Sequence, residues 1–178
     1  IANGSCSANN CVATFTCNDG YYWNADDCAC TAKGLTLEYQ PNGGVARSGV
    51  ELVQQMTFGQ SFTTLGGNDI TMAGNINCKW DTVSGGQFPL LDHEYTYNQN
   101  GNTVLKAHWA ACTCDAGNGV QSCSTNVVDN TCVPTVTCQG GYVPVTPYGI
   151  SGECGNKVTV SCTKCSAGYY QYGDQCSQ

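Results

Sequence analysis

Positive charge is scarce in this sequence. Only six of its 178 residues are Lys or Arg, against thirteen Asp or Glu, which gives a formal net charge of -7 at pH 7. The six basic residues are scattered singly along the chain. Nucleic acids and other polyphosphates are attracted by clustered Lys and Arg, so this chain would repel them. We therefore expect no nucleic-acid partner.

Long apolar runs are also absent. A membrane-spanning helix needs roughly 18 to 20 consecutive residues that are mostly apolar. No segment of this sequence approaches that length without polar residues or glycine. We therefore expect no transmembrane segment in this chain, and attachment to a cell would come through partners or through sequence outside it.

Catalytic motifs are missing as well. Neither Gly-x-Ser-x-Gly nor His-Glu-x-x-His occurs, and the sequence has only two histidines, His93 and His108. Asp92, His93 and Glu94 form one dense group of titratable residues, which we interpret as a solvated turn in preference to a catalytic or metal site. His108 is expected on the outward face of a strand. We predict that the protein is not an enzyme and has no cofactor or metal.

Cysteine, by contrast, is abundant. Fifteen cysteines and 22 glycines are the composition of a disulfide-stabilised scaffold. Zinc is the alternative use, but only Cys162 and Cys165 have the two-residue spacing of a zinc knuckle. Disulfides persist outside the reducing cytosol, so we predict a secreted or cell-surface protein. The predicted disulfide framework comprises Cys6, Cys11, Cys17, Cys28, Cys30, Cys112, Cys114, Cys123, Cys132, Cys138, Cys154, Cys162, Cys165 and Cys176.

One cysteine-rich unit is repeated along the chain. Each copy contains the motif Cys-x-x-Gly-Tyr and a loop that runs from its cysteine to another cysteine. The three copies of this loop are residues 17–28, 138–154 and 165–176, and residues 114–123 form a weaker copy without the aromatic residue. Closing a loop of about a dozen residues with a disulfide contributes roughly 3 kcal/mol. Such closure replaces a hydrophobic core that is too small to be stable by itself.

Glycine and aromatic residues occupy the centre of each unit. We expect positive φ or a close backbone approach at Gly20, Gly141 and Gly168, and the tyrosine that follows each glycine can cover the disulfide. Packing is the simpler role for these aromatic residues. The alternative is an exposed platform that binds a sugar or a host protein. The residues of that alternative binding site are Tyr21, Tyr22, Trp23, Tyr169, Tyr170 and Tyr172.

Residues 33–111 have a different pattern, in which apolar and polar residues alternate as in ordinary β-strands. Because side chains of a strand point alternately to its two faces, the pattern predicts which residues share a buried face. The predicted inward residues are Leu35, Leu37 and Tyr39 in one strand and Leu105, Ala107 and Trp109 in another. This segment is long enough to bury its own core.

Five stretches of this segment carry a resemblance to a known family: "LTLEYQPNGG" at 35–44, "MTFGQSF" at 56–62, Trp80, "GG" at 85–86 and "NGNTVLKAHW" at 100–109. They resemble the internalin B-type repeat, a small β-grasp module of bacterial surface proteins. The resemblance covers about two fifths of the chain. It implies a spacer, adhesive element or assembly unit without catalysis. The outer units resemble the cysteine-rich Gly-Tyr-Tyr repeats of extracellular proteins.

The odd number of cysteines bears on assembly. Cys78 is the only cysteine within residues 33–111, so we predict that it is the one left without a partner in its own chain. It then forms a bond to another molecule or remains a buried free thiol. Disulfides between the flanking modules and the central segment would turn flexible modules into a rigid rod.

Together these patterns predict a mainly β fold, in which small disulfide-rich modules flank a central β-grasp-like domain. The predicted boundaries are 1–32 for a cysteine-rich module, 33–111 for the central domain and 112–178 for two further modules. We predict a non-enzymatic structural or adhesive protein of a bacterial surface that associates with itself, for example head to tail in an extracellular filament. The alternative is a module that binds a glycan or a host protein through its Tyr and Trp loops.

Overall fold

The computed structural model describes residues 16–178. In this range all of the regular secondary structure is β-strand, which confirms the mainly β fold class. Thr, Val, Ile and Tyr are frequent in the strands, and these residue types favour the pleated backbone. In this range no helix is long and apolar enough to cross a membrane. Cys6 and Cys11 of the predicted framework lie outside the described residues.

The strands alternate with short turns throughout the described chain. In chain order they are β1 (Tyr21–Asn24), β2 (Ala29–Ala32), β3 (Gly34–Gln40), β4 (Val45–Ala46), β5 (Val53–Thr57), β6 (Ser61–Thr63), β7 (Ile70–Thr71), β8 (Asn75–Ser84), β9 (Glu94–Thr96), β10 (Thr103–Ala111), β11 (Thr113–Ala116), β12 (Val120–Val128), β13 (Thr131–Cys138), β14 (Tyr142–Pro144), β15 (Gly149–Ser151), β16 (Lys157–Val160), β17 (Cys162–Lys164), β18 (Tyr170–Tyr172) and β19 (Gln175–Ser177).

The largest sheet has four strands in the order β5-β3-β10-β8. β3 and β10 are parallel at its centre, and β5 and β8 are antiparallel to them at the edges. The first and last strands of the central segment are therefore neighbours.

One face of this sheet is buried by a hydrophobic core. Leu37, Tyr39, Leu105 and Ala107 are at most 1 % exposed and Leu35 is 7 % exposed, which confirms the predicted inward faces of β3 and β10. Trp109 packs partly buried against the same core. The core is completed by aromatic and other apolar side chains from the edge strands β5 and β8 and from the segments outside this sheet: Met56, Phe62, Ile70, Trp80, Phe88 and Tyr97. Each large side chain buried here contributes roughly 1.5 to 3 kcal/mol.

Strands β8 and β10 carry the sheet beyond this first core. His108 lies opposite Lys79 but Trp109 lies opposite Asn77, so the ladder shifts register and Cys78 is an extra residue in β8. Such a bulge bends a strand and redirects its side chains. It marks the place where the two strands leave the central core.

A second, smaller core begins past this bulge. Ile76 and Ala110, at the ends of β8 and β10, pack with Cys132, Val158 and Val160 of the C-terminal module. The central segment therefore contributes residues to both cores. Its two longest strands connect the central sheet directly to the cysteine-rich region.

The C-terminal module consists of small sheets. β11, β16 and β15 form a three-stranded sheet, and the pairs β12-β13, β14-β17 and β18-β19 are two-stranded. The turn between β12 and β13 places Asp129 and Asn130 at φ of 48° and 52°. Positive φ at both central residues is typical of a type I′ hairpin turn, in which Asn and Asp are favoured.

The N-terminal hairpin β1-β2 lies at the other end of β10. The Gly20 N–H and Lys33 Nζ donate to Asn100 Oδ1 at 3.0 and 2.7 Å, and the Tyr21 ring packs edge-on against Phe58. Asn100 comes just before β10, whereas the C-terminal module follows the end of this strand. A nine-residue strand spans about 30 Å, so β10 separates the two flanking regions.

Candidate functional site

The motif Cys-x-x-Gly-Tyr forms the same turn in all three copies. The glycine has a φ of +81° at Gly20, +81° at Gly141 and +89° at Gly168, which confirms the predicted positive φ. In each copy the tyrosine N–H donates to the carbonyl of the residue that follows the cysteine, at 3.0 to 3.1 Å. Only glycine adopts this backbone conformation without steric cost. The repeat found in the sequence is therefore a structural repeat.

A strand follows each turn and pairs with a later strand, and this pairing determines which cysteine closes the unit. The residue two positions after the tyrosine lies directly opposite a cysteine of the return strand, and that cysteine bonds to the first cysteine of the motif. The resulting disulfides are Cys17–Cys30, Cys138–Cys162 and Cys165–Cys176, with Cα atoms 5.6 to 5.9 Å apart. These separations are ordinary for disulfides.

Two of the predicted loop closures are therefore wrong. The loops were expected to end at Cys28 and Cys154, but Cys30 and Cys162 close the first two units. Strand pairing, and not the nearest cysteine in the sequence, brings two Cα atoms within bonding range. The third loop, 165–176, and the weaker copy, 114–123, are closed as the sequence predicts.

The prediction for Cys78 is also wrong. Cys78 bonds to Cys154, with Cα atoms 5.4 Å apart, so it is neither a free thiol nor available for another molecule. Its place in the bulge of β8, next to the second core, explains this pairing. Cys112 bonds to Cys132 within the C-terminal module. The free thiol among the described residues is Cys28, which is exposed and was assigned to the framework.

The six aromatic residues of the alternative binding site form two separate surfaces. Tyr21, Tyr22 and Trp23 belong to the N-terminal hairpin, whereas the other three belong to the C-terminal hairpin. Tyr21 is partly covered because its ring packs against Phe58, and Trp23 is half-buried. Tyr22 is 48 % exposed. The N-terminal group therefore combines packing with a modest exposed area.

The C-terminal hairpin presents a larger aromatic surface. Tyr170 and Tyr172 are 58 % and 74 % exposed, and they share one face of β18 because they are two residues apart. The Tyr169 hydroxyl accepts a hydrogen bond from Gln178 Nε2 at 2.9 Å. Gln171, on the opposite face, accepts from the Gly141 N–H at 3.3 Å and holds the hairpin against the module. The two exposed rings thus point away from the hairpin's own support.

Asp92, His93 and Glu94 lie in an exposed turn, as interpreted from the sequence. Asp92 has a φ of 50°, and the His93 ring packs edge-on against Tyr95 with centroids 4.7 Å apart. Within residues 16–178, no group of three or more His, Cys, Asp or Glu side chains could hold a metal ion. The geometry offers no paired nucleophile and base at this turn.

A charged cluster connects the outer face of the central sheet to the C-terminal module. His108 Nδ1 lies 2.7 Å from Asp81 Oδ2, and its Nε2 lies 3.1 Å from Glu153 Oε2. Lys79 Nζ is 3.4 Å from the second oxygen of Glu153. The hydrogen bond to Asp81 raises the pKa of His108, and the one from His108 lowers the pKa of Glu153. The cluster stands beside the Cys78–Cys154 bond.

This cluster was not found from the sequence. His108 does lie on the outward face of its strand, but that face meets Glu153, which is 45 residues away in the chain. The charge alternation in "NCKWD" and "KAHW" was the only available signal. It indicates an outward face without identifying what covers it.

Compared with known proteins, the chain matches no protein-family model, no curated protein and no solved structure at the significance required. The resemblance of the central segment to the internalin B-type repeat therefore stays a prediction from sequence motifs.

Proposed function

We propose that this chain is a non-enzymatic, secreted or cell-surface structural or adhesive protein, and that copies of it associate head to tail. The observation that carries the proposal is the repetition of one disulfide-closed hairpin at both ends of the described chain, Cys17–Cys30 and Cys165–Cys176. A stiff connection separates these two hairpins. Subunits that meet through different surfaces at their two ends form open filaments when the contact does not close a ring.

The disulfides support an oxidising environment. Twelve cysteines are bonded in six pairs among the described residues. Disulfides on this scale are formed and maintained outside the cytosol. They are also the means by which modules with small cores stay folded where proteases and dilution act on them.

The rigid connection between the central sheet and the C-terminal module supports a structural role. The Cys78–Cys154 bond fastens the C-terminal module to the central sheet, and strands β8 and β10 run from one core into the other. The module and the sheet therefore cannot move as independent beads. Disulfides across a junction were expected to produce this rigidity, and the structure has one on the C-terminal side. The N-terminal hairpin is attached by the Asn100 hydrogen bonds and Phe58 instead.

Exposed aromatic side chains at the C-terminal end supply a contact surface. Tyrosine has a large apolar ring and a polar hydroxyl, and it is enriched at protein interfaces. Tyr170 and Tyr172 present such rings on one face of a two-stranded hairpin. We propose this face as one half of the joint between subunits.

Sedimentation velocity and negative-stain electron microscopy of the oxidised protein, over a wide range of concentrations, test this proposal. We expect oligomers or fibres that grow with concentration. The double variant Tyr170→Ser/Tyr172→Ser should shorten or abolish them. Val83→Ser removes a similarly exposed apolar side chain from the central sheet and should leave assembly unchanged. A monodisperse monomer of the unmodified chain at every concentration would overturn head-to-tail assembly.

Non-reducing electrophoresis adds a second measurement. Cys28 is exposed and has no disulfide partner among the described residues, so the Cys28→Ser variant shows whether any oligomer is linked covalently at the N-terminal hairpin. Loss of disulfide-linked dimers in this variant places Cys28 at the joint. Unchanged dimers assign any such linkage to another cysteine.

The exposed tyrosines also favour a second function, the binding of a glycan or host protein by the same face. The Tyr170→Ala/Tyr172→Ala variant distinguishes the two. If the unmodified protein stays monomeric but binds glycans or host-cell proteins, and the double variant does not, then this function replaces assembly. The matched control is Val83→Ala, which shortens an exposed apolar side chain of the central sheet outside the candidate binding residues.

A further inference from the structure

A cleft lies between the central domain and the tip of the β12-β13 hairpin. It has a volume of about 400 Å³ and is open to solvent on one side. One wall is the loop of residues 67–75, the other is the hairpin turn at Asp129 and Asn130, and Trp109 contributes its indole ring. Clefts of a few hundred Å³ are the size of small-molecule binding sites. Neither the aromatic hairpins nor the charged cluster contributes to this cleft.

Hydrogen bonds hold both walls in place. The Asn130 side chain accepts from the Asn77 N–H and donates to the Asn77 carbonyl, both at 2.8 Å, so it pairs with β8 as a neighbouring strand would. On the loop side, Asn75 Nδ2 donates to the Ala73 carbonyl at 2.8 Å. The Cys112 N–H donates to the Gly74 carbonyl at 2.9 Å. A site that is already ordered before binding loses less entropy when a ligand arrives.

The Trp109 ring is fixed as well. Its Nε1–H donates to the Pro41 carbonyl at 2.8 Å, which leaves the ring surface and not the polar edge to interact with a ligand. Gly44 makes room for it, because a Cβ atom at that position would lie 2.5 Å from Trp109 Cζ2. An indole ring fixed in a cleft wall offers a stacking surface to an apolar or C–H-rich ligand face.

The remaining cleft lining mixes apolar side chains, those of Met72, Ala73 and Val127, with polar ones, and it is nearly uncharged. Asn68 and Thr71 carry side-chain groups that make no hydrogen bond to the described residues, and the Asp129 carboxylate is likewise unpaired. Asp129 is the one ionisable residue of the lining, and no Lys or Arg is present there. An anionic ligand would meet a negative carboxylate in a chain of net charge -7. A purely apolar ligand would leave the polar groups without partners.

A peptide that adds as a strand also fits poorly. Strand addition needs free backbone groups at a sheet edge. At this end of β8 the N–H and carbonyl of Asn77 are already taken by Asn130. The cleft therefore favours a ligand that combines many hydroxyl groups with C–H faces.

We propose that this cleft binds a segment of a neutral glycan chain, with Trp109 as the stacking surface and Asn68, Thr71 and Asp129 as hydrogen-bonding partners. Sugar hydroxyls both donate and accept, so they match an amide, a hydroxyl and a carboxylate at once. The proposal goes beyond the structural role proposed above and does not depend on it. A glycan bound here would attach the scaffold to a polysaccharide layer at its middle, leaving both ends available.

The test is a ¹H–¹⁵N NMR titration of the full chain, with Tyr170→Ser/Tyr172→Ser added to keep it monomeric if necessary. The probes are neutral oligosaccharides of glucose, mannose, xylose and N-acetylglucosamine, with oligogalacturonate as the anionic comparison. At millimolar sugar, at least one neutral series should shift the Trp109 indole N–H and the Asn68 side-chain amide. The Trp80 indole N–H, which is buried and donates to Leu65, should not move.

Variants sharpen the assignment. Asn68 is exposed, and Asn68→Ala should weaken binding about fivefold, as the loss of one hydrogen bond does. Ala73→Trp places a ring in the cleft and should abolish binding. The matched control is Asn126→Ala, an exposed asparagine of β12 outside the lining, which should bind as tightly as the unmodified chain.

Three results would overturn the proposal. They are the absence of any shift with all neutral oligosaccharides, shifts confined to the tyrosine hairpins, and tighter binding of oligogalacturonate at Trp109. All three results are measured by NMR on monomeric protein in solution, whereas assembly is measured by electron microscopy and sedimentation velocity. Failure of the glycan site and failure of head-to-tail assembly are therefore distinguishable.

Discussion

The central sheet and the C-terminal module are both made of strands, yet they are stabilised in different ways. The sheet buries a continuous cluster that includes Leu37, Tyr39, Trp80 and Leu105, and no disulfide joins two of its own residues in the range 33–111. In the module, the buried apolar residues are few and sulfur atoms make up much of the core. One chain therefore combines a region stabilised by a hydrophobic core with a region stabilised by disulfides. Size decides which is used, since thin two-stranded sheets bury too little surface.

Reduction of the disulfides should produce the largest difference in stability between the two regions. With all bonds reduced, we expect residues 112–178 to lose amide protection while the core of the central sheet keeps it. Each disulfide contributes about 2 to 4 kcal/mol, and the small core of the module does not compensate for several such losses. Hydrogen exchange with and without a reducing agent measures this difference. Protection that persists in residues 112–178 after complete reduction would show that their apolar contacts suffice.

A cavity in the central core should have the next largest effect. Leu105 is fully buried, so Leu105→Ala should destabilise the central sheet by about 2 to 5 kcal/mol. Val104 is its neighbour on the outer face of the same strand, and Val104→Ala is the matched control with a much smaller loss. Denaturant unfolding of oxidised protein gives both values. Equal losses in the two variants would contradict the assignment of faces in β10.

Removal of the Asn130 side chain tests how strongly the β12-β13 hairpin is held against β8, where the two regions meet. Asn130→Gly keeps a residue that tolerates φ of 52° but deletes both hydrogen bonds to Asn77, which should cost about 1 to 3 kcal/mol. Asp129→Gly is the control, because Asp129 has a similar φ and its carboxylate makes no hydrogen bond or ion pair within residues 16–178. The exchange rate of the Asn77 amide reports the loss directly. An unchanged rate in Asn130→Gly would mean that this contact does not hold the hairpin.

The pH dependence of the charged cluster is expected to be the smallest effect. The raised pKa of His108 means that its contribution is fully present below its ordinary pKa of 6.5 and is lost as pH rises through the folded value. The lowered pKa of Glu153 means that its contribution is present above 4.5 and is lost as pH falls through its folded value. Both groups therefore stabilise the contact most between about pH 4.5 and 6.5.

Thermal unfolding of Glu153→Gln against the unmodified chain, followed from pH 4 to pH 9, checks this prediction. The difference in Tm should be largest in the window where both groups are charged and should shrink towards alkaline pH. Lys106→Gln removes a charge from the same face of β10 outside the cluster and serves as the control. A difference that stays constant with pH would remove His108 from the explanation.

Local features of this fold could be predicted from the sequence. The buried faces of β3 and β10 follow from the alternation of Leu35, Leu37 and Tyr39 and of Leu105 and Ala107, because strand geometry fixes which side chains share a face. The turn at Gly20, Gly141 and Gly168 follows from residue chemistry within five positions. Both depend only on neighbours in the chain.

Contacts between distant residues could not be predicted. Cys78 and Cys154 are 76 residues apart, and nothing near either cysteine specifies the other. The bulge in β8, which sets the direction of Cys78, depends on its pairing with β10. The choice of Cys30 over Cys28 likewise depends on which residue stands opposite Trp23. A cysteine count gives the parity of the framework but not its partners.

The proposed glycan-binding cleft combines local features that the sequence shows with a long-range contact that it does not show. Its residues were visible in the sequence only as an ordinary loop, a strand tryptophan and a hairpin turn. Trp109 was predicted to face the core, and it does contact the core, but it also lines the cleft. The site exists because the β12-β13 hairpin folds back on β8, which is information that no single segment contains.

The position of the Cys78–Cys154 bond has a mechanical consequence. Tension applied between the two terminal hairpins would bypass the chain from 78 to 154 and the loops 17–30 and 165–176, since covalent links shorten the path through each. The path between the two hairpins can then lengthen only through residues 31–77 and through the short segment 155–164, and unfolding of residues 31–77 would release on the order of 160 Å. A fibre of such subunits under tension would lengthen mainly by unfolding of the central sheets, which can refold, while the disulfide-linked regions stay folded. A force-extension trace with much longer steps would contradict this.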